Sequence, residues 1–148
     1  MLRFLPCLYA FIACASFCFI FQVRKPSFII LCSLNGAISW LVYLLTDFLP
    51  VDAARYFLAT IAVSIFAELL ARIQKAPATI FLVIGIIPLV PGGGLYYTMD
   101  YLINGDFAMF TSKGIQTAAA AGAIAAGASM VTSLVRMLTW HKHAHLHT

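Results

Sequence analysis

The stretch "GIIPLVPGGGLYYTM", Gly85 to Met99, lies in one of the most apolar parts of the chain, yet it carries two prolines and three consecutive glycines. Around it, Ala78 to Thr98 reads as a single membrane-length apolar segment with Pro88 at its middle. Proline has no amide donor and clashes with the carbonyl four residues earlier. Pro88 therefore frees the carbonyl of Ile84, and Pro91 frees that of Ile87. Gly92, Gly93 and Gly94 strip the next turn of side chains. The expected product is a discontinuous helix, with exposed carbonyls ending its first half and free amides opening its second near mid-membrane. Irregular backbone at that depth is tolerated only where protein buries it or where it lines a cavity.

Composition places this segment in a bilayer. Of 148 residues, 63% are hydrophobic and 9% charged, and the mean hydropathy is +0.98, whereas about a quarter of a soluble domain is charged. A span needs about 20 apolar residues, so the chain is read as a single all-α transmembrane domain over residues 1–148 with about five helices. The spans are expected at Phe4 to Val23, Phe28 to Thr46, Tyr56 to Ala71, Ala78 to Thr98 and Ile115 to Val135, the fourth discontinuous. Laid out alternately, they put Arg24, Lys25, Arg72, Lys75, Arg136 and Lys142 on one side. Arg3, Arg55 and Lys113 fall on the other, with Asp47, Asp52, Asp100 and Asp106. The positive-inside rule makes the first side cytoplasmic, which places the N-terminus outside and the C-terminus inside. A secretory-signal reading of "ACA" at Ala13 to Ala15 is weaker, because cleavage there leaves Ser16 to Val23 too short to span.

Polar groups are scarce in the spans and so carry weight. Thr60, Ser64, Glu68 and Arg72 recur every four residues on the third span. Such groups avoid lipid and face an interface or a wet cavity. Glu68 and Arg72 stand in the favourable order for a helical ion pair, and Glu68 can alternatively carry a transported proton. Cys32, Asn35, Gly36, Ser39, Tyr43 and Thr46 form a comparable stripe on the second span, read either as lining the same path or as interhelical hydrogen bonding. Cys7, Cys14, Cys18 and Cys32 are read as small apolar packing residues. Gly114, Ala118, Gly122 and Ala126 make a smooth face on the fifth span, of the kind that lets another helix approach closely. That helix belongs either to this chain or to a partner.

Broken membrane helices in secondary transporters form substrate sites, with the positive end of a half-helix turned to an anionic group. Pro88, Pro91, Gly92, Gly93, Gly94 and Tyr97 are accordingly the expected substrate-binding residues, and a carboxylate the expected guest. Glu68, Arg72 and Lys75 are the candidates for proton coupling or a structural ion pair. "PGGG" lacks the Gly-Lys-Ser/Thr of a phosphate-binding loop, and the basic residues occur in ones and twos beside apolar runs, which gives nucleic acid no footing. The spans hold no paired carboxylates and no Ser/His/Asp set, and histidine first occurs at residue 141, so an enzyme is disfavoured. No cofactor or metal signature is present. The tail "HKHAHLHT", with His141, His143, His145 and His147, is expected to be disordered and dispensable.

The run "AELLARIQKAPATIFLVIGIIPLVPGGGLYYTM", Ala67 to Met99, resembles the signature region of the threonine/serine exporter family, and in particular the small subunit of its two-component form. Glu68, Arg72, Lys75, Pro77, Pro88, Pro91, Gly92 and Tyr97 are the positions that carry the likeness. It implies a half-transporter in a prokaryotic plasma membrane, acting with a larger membrane subunit of the same family and exporting a small carboxylate-bearing metabolite, either threonine and serine or a succinate-type dicarboxylate. One split pair of the family is linked to succinate instead, but "GGG" is richer in glycine than the pattern of those relatives, which favours the amino acid. An odd number of spans per half inverts one half relative to the other, in keeping with inverted-repeat transporters. Homo-oligomerisation and a purely accessory role, in which the chain only stabilises its partner, are the remaining readings.

Overall fold

A computed structural model describes the backbone of residues 5–144 and the side chains of residues 5–138. The described chain is all-helical: α1 Leu5–Ile20, α2 Pro26–Leu45, α3 Asp52–Gln74, α4 Ala78–Ile86, a 3₁₀ turn Ile87–Leu89, α5 Gly92–Ile103 and α6 Phe107–Ala144. Local chemistry sets most of these boundaries. Pro26 opens α2 at a position where its missing amide costs nothing. Asp52 places a carboxylate at the positive end of α3. Lys75, at φ +51°, ends α3 in a left-handed cap in which the Ala76 amide donates to the Ala71 carbonyl at 3.0 Å. Pro77 then turns the chain into α4. Asp106 caps α6, its Oδ1 accepting from the Met109 amide at 3.1 Å.

Helices α2, α3 and α6 (over Phe107–Leu138) are each long and apolar enough to cross a membrane, and α4 with α5 makes a fourth span if the bent pair counts as one. The pair bends by 47° at the break. Helix α1, with 16 residues, is shorter. The fifth expected span grows well beyond Ile115 to Val135, running through His141 and His143 to Ala144, because neither glycine nor proline occurs after Gly127. Those two histidines therefore do not belong to a disordered tail, while His145 and His147 lie outside the described residues.

Packing follows small side chains. Helix α1 lies on α2, α2 on α3 and α4, and α3 on α4 and α6, while α5 packs chiefly on α6. Ala59, Val63, Ala67 and Ala71 make a buried ladder on α3. Ala67 and Ala71 meet Phe81 and Ile84 of α4 and Cys14, Cys18 and Cys32 of α1 and α2. Near the other end, Ala59 meets Leu89 and Ile124. Helix α6 buries Thr117, Ala120, Ile124, Gly127 and Val131, with Gly127 close under the Phe57 carbonyl and Thr60 of α3. Within this chain, α6 therefore makes its contacts chiefly through this face rather than through the small-residue face. Gly114 lies under Thr98 of α5, but Ala118, Gly122 and Ala126 are exposed. The face at Thr117–Gly127 wins because its spacing of three and four residues follows the seam along α3.

Candidate functional site

The two halves of the broken helix end in different surroundings. On the carbonyl side, the two oxygens expected to be exposed, those of Ile84 and Ile87, are capped inside the protein, and a third bond reaches Phe81 of α4. The Cys14 thiol donates to the Ile84 carbonyl at 3.3 Å, Asn35 Nδ2 donates to the Phe81 carbonyl at 3.0 Å, and the Val90 amide donates to the Ile87 carbonyl at 3.2 Å. Asn35 is fully buried and its Oδ1 has no partner among the described residues. Cys14 is thus more than a packing residue: it caps the carbonyl that Pro88 releases. The second-span stripe serves this latch, Asn35 reaching α4 while the Ser39 hydroxyl bonds back to the Gly36 carbonyl of its own helix.

On the amide side, the Gly92 amide donates to the Val90 carbonyl at 2.7 Å and the Leu95 amide to the Pro91 carbonyl at 3.1 Å. Between them the amides of Gly93 and Gly94 find no acceptor among the described residues. They open α5, where the helix dipole adds partial positive charge. A cavity of about 150 Å³ forms beside Gly94, lined by Pro91 and Gly94 with Asp52 and Tyr56 of α3 and Lys113, Gln116, Thr117 and Ala120 of α6. A side chain at Gly94 would collide with Thr117. Lys113 Nζ donates to Gln116 Oε1 at 3.3 Å. Asp52 is held at 3.2 Å by Arg55 Nη1 but stays largely exposed. The cleft lining therefore combines a cation, Lys113, a carboxylate, Asp52, and Gly94 with its free amide.

Arg55 braces the wall behind it. Its side chain is 13% exposed and also pairs with Asp47 at 2.9 Å. Nη2 donates to the Tyr43 carbonyl at 3.3 Å, and the guanidinium sits 4.3 Å from the centre of the Tyr43 ring. Tyr43 in turn stacks on Trp40 at 5.2 Å and meets Tyr56 at 4.8 Å. Charge-assisted and cation–π contacts of this kind order a site when partly desolvated.

Of the expected substrate residues, Pro91 and Gly94 line the cleft. Gly92 and Gly93 are exposed, with open space where a side chain would stand. Pro88 faces a separate apolar cavity beside Tyr9 and Trp40, and Tyr97 is 53% exposed against Tyr96. Glu68, Arg72 and Lys75 belong to the far end of α3. Tyr56 lies level with Pro91 and Gly94, Val63 with Gly85, and Ala67 with Phe81. Twelve residues thus separate Glu68 from the cleft, about 18 Å along the helix. The same register sets the break near the Asp52 end of α3 rather than at its middle. Glu68 is half-buried and Arg72 exposed, and they form no ion pair among the described residues, where both ion pairs are made by Arg55. Thr60 and Ser64 are fully buried and turn their hydroxyls to the Tyr56 and Thr60 carbonyls of their own helix. Lys75 serves as the left-handed cap of α3.

Asp52, Arg55, Tyr56, Lys113, Gln116 and Thr117 were not among the sequence candidates. The signal for them was local: Asp52 and Arg55 are three residues apart, and Lys113, Gln116 and Thr117 share one helix face.

A family model described as "Threonine/Serine exporter, ThrE" matches residues 6–134. Comparison with curated proteins and with solved structures returned no match. With a match over most of its length, and a broken membrane helix opening onto a charged cleft, the chain belongs to the threonine/serine exporter family.

Proposed function

We propose that this chain is the small subunit of a two-chain secondary exporter in a prokaryotic plasma membrane, and that it binds a zwitterionic amino acid of the threonine or serine type in the cleft between α3, α5 and α6. The observation that carries this reading is the pairing of opposite charges beside an uncapped half-helix. The Gly94 amide and Lys113 of the cleft lining suit the substrate carboxylate, with the free Gly93 amide next to them in sequence, and Asp52 suits its ammonium group. Gln116, Thr117 and Tyr56 supply partners for a side-chain hydroxyl. A dicarboxylate such as succinate would set its second anionic group against Asp52, so the amino acid fits better.

A larger subunit is supported by α5, which buries no side chain within this chain, and by the exposed Ala118, Gly122 and Ala126 of α6. In this reading the partner covers both and closes the cleft. Five spans, with the N-terminus outside and the C-terminus cytoplasmic, complete the arrangement. Glu68 is the residue proposed to carry the coupled proton, since it is half-buried and has no ion-pair partner among the described residues at its end of α3. Efflux of labelled threonine and of labelled succinate from proteoliposomes holding this chain, the larger subunit or both tests the proposal. Threonine efflux that needs both chains and a proton gradient supports it. Equal efflux from the larger subunit alone makes this chain an accessory protein.

A further inference from the structure

The end of the bundle opposite the cleft holds a second arrangement, built by two similar turns. After α1, Gln22 takes φ +54° and the Val23 amide donates to the Cys18 carbonyl at 3.0 Å. After α3, Lys75 and Ala76 do the same. The two turns are brought side by side, because Val23, Phe28, Ala76 and Ala78 pack on one buried cluster. Arg24, Lys25, Arg72 and Lys75 are therefore gathered at one end of the bundle, all exposed. None of the four makes an ion pair among the described residues. The other end is different, since Arg55 there is held by two carboxylates.

Next to these cations an apolar groove of about 210 Å³ runs between the end of α1 and the outer face of α4, lined by Phe21, Val23, Thr79, Ile80, Val83 and Ile84. Helices α2 and α4 start, and α3 ends, at this level, so the groove begins at a membrane surface and descends into the hydrocarbon. A free anion gains nothing from its apolar walls, and a neutral lipid gains nothing from four cations that have no carboxylate partner among the described residues. An acidic phospholipid uses both features, acyl chain below and phosphate above.

We propose that this groove is a binding site for one anionic diacyl phospholipid, with its headgroup on Lys25, Arg24 and Lys75 and an acyl chain along Val83 and Ile80. The site is independent of the transport cleft and of the substrate assigned to it. The test is native mass spectrometry of the delipidated full chain titrated with phosphatidylglycerol or with phosphatidylcholine of the same acyl chains. Wild type is expected to retain one phosphatidylglycerol in preference to phosphatidylcholine. Each of Arg24→Gln, Lys25→Gln and Lys75→Gln should weaken phosphatidylglycerol binding about fivefold, while Lys25→Arg keeps it. A photoactivatable phosphatidylglycerol on the unaltered protein provides a readout free of folding effects, and should label residues 21–25 or 75–84. Equal retention of the two lipids, unchanged preference in the glutamine variants, or labelling confined to other segments overturns the proposal.

Discussion

Helices α4 and α5 are continuous in sequence and interrupted by the same two prolines, yet they are treated oppositely by the rest of the molecule. Phe81, Ile84 and Gly85 of α4 are buried, and the carbonyls of Phe81 and Ile84 are capped from α2 and α1. No residue of α5 is buried, and two of its first amides are uncapped, that of Gly94 at a charged cleft. Both ends of a broken helix carry unsatisfied groups and partial charge. Only one end is left open here, so a broken helix does not by itself reveal which of its ends meets a ligand. The protein has spent Cys14 and Asn35 on making the carbonyl end structural.

The largest effect should come from Gly85→Val. Asn35 Nδ2 and Val63 occupy the space its side chain would need, and overpacking of this kind costs about 1–3 kcal/mol. Displacing Asn35 also breaks the latch to Phe81, so assembled protein should be largely lost when measured by size-exclusion chromatography in detergent. Normal assembly would mean that the α4 side is not tightly fixed.

At the open end, Asp52→Asn should lower threonine transport about tenfold, the equivalent of one charge-assisted hydrogen bond, and spare or raise succinate transport. Efflux from proteoliposomes reads both, and an equal loss for the two substrates would remove Asp52 from ammonium recognition. Glu68→Gln, about 18 Å away along α3, should leave threonine binding unchanged and flatten the pH dependence of efflux.

A smaller change is expected at the latch. Cys14→Ala leaves the Ile84 carbonyl without its thiol donor and should cost about 1 kcal/mol, read as a lower thermal midpoint, whereas Cys14→Ser should recover most of the loss by supplying a hydroxyl. If alanine and serine behave alike, the thiol contact contributes only volume.

The contrast between the two ends also explains what could be read in advance. Membrane helices are legible because apolar content and span length are properties of consecutive residues. Pro88 and Pro91 marked the break for the same reason. The cap on Ile84 was hidden, since its donor stands 70 residues earlier and a cysteine in an apolar run looks like packing. In the sequence Arg55 and Lys113 read as markers of a membrane surface, a reading that ignores what a cation faces once its helix is packed. The polar line from Thr60 to Arg72 did not act as one unit either. Its first two hydroxyls satisfied carbonyls of their own helix, and a shared face cannot show where along a helix of about 35 Å a neighbouring chain breaks.

The central claim, that the free amides opening α5 hold the substrate carboxylate, is tested most directly at Gly93. A side chain added there meets nothing within 4 Å, so Gly93→Val should assemble and melt like wild type, with no internal clash to confuse the result. Equilibrium binding of labelled threonine to the assembled exporter is the measurement. Binding weakened about tenfold or more in Gly93→Val, at an unchanged thermal midpoint, is the predicted result. Wild-type affinity in an assembled Gly93→Val protein would contradict it and move the substrate away from the break.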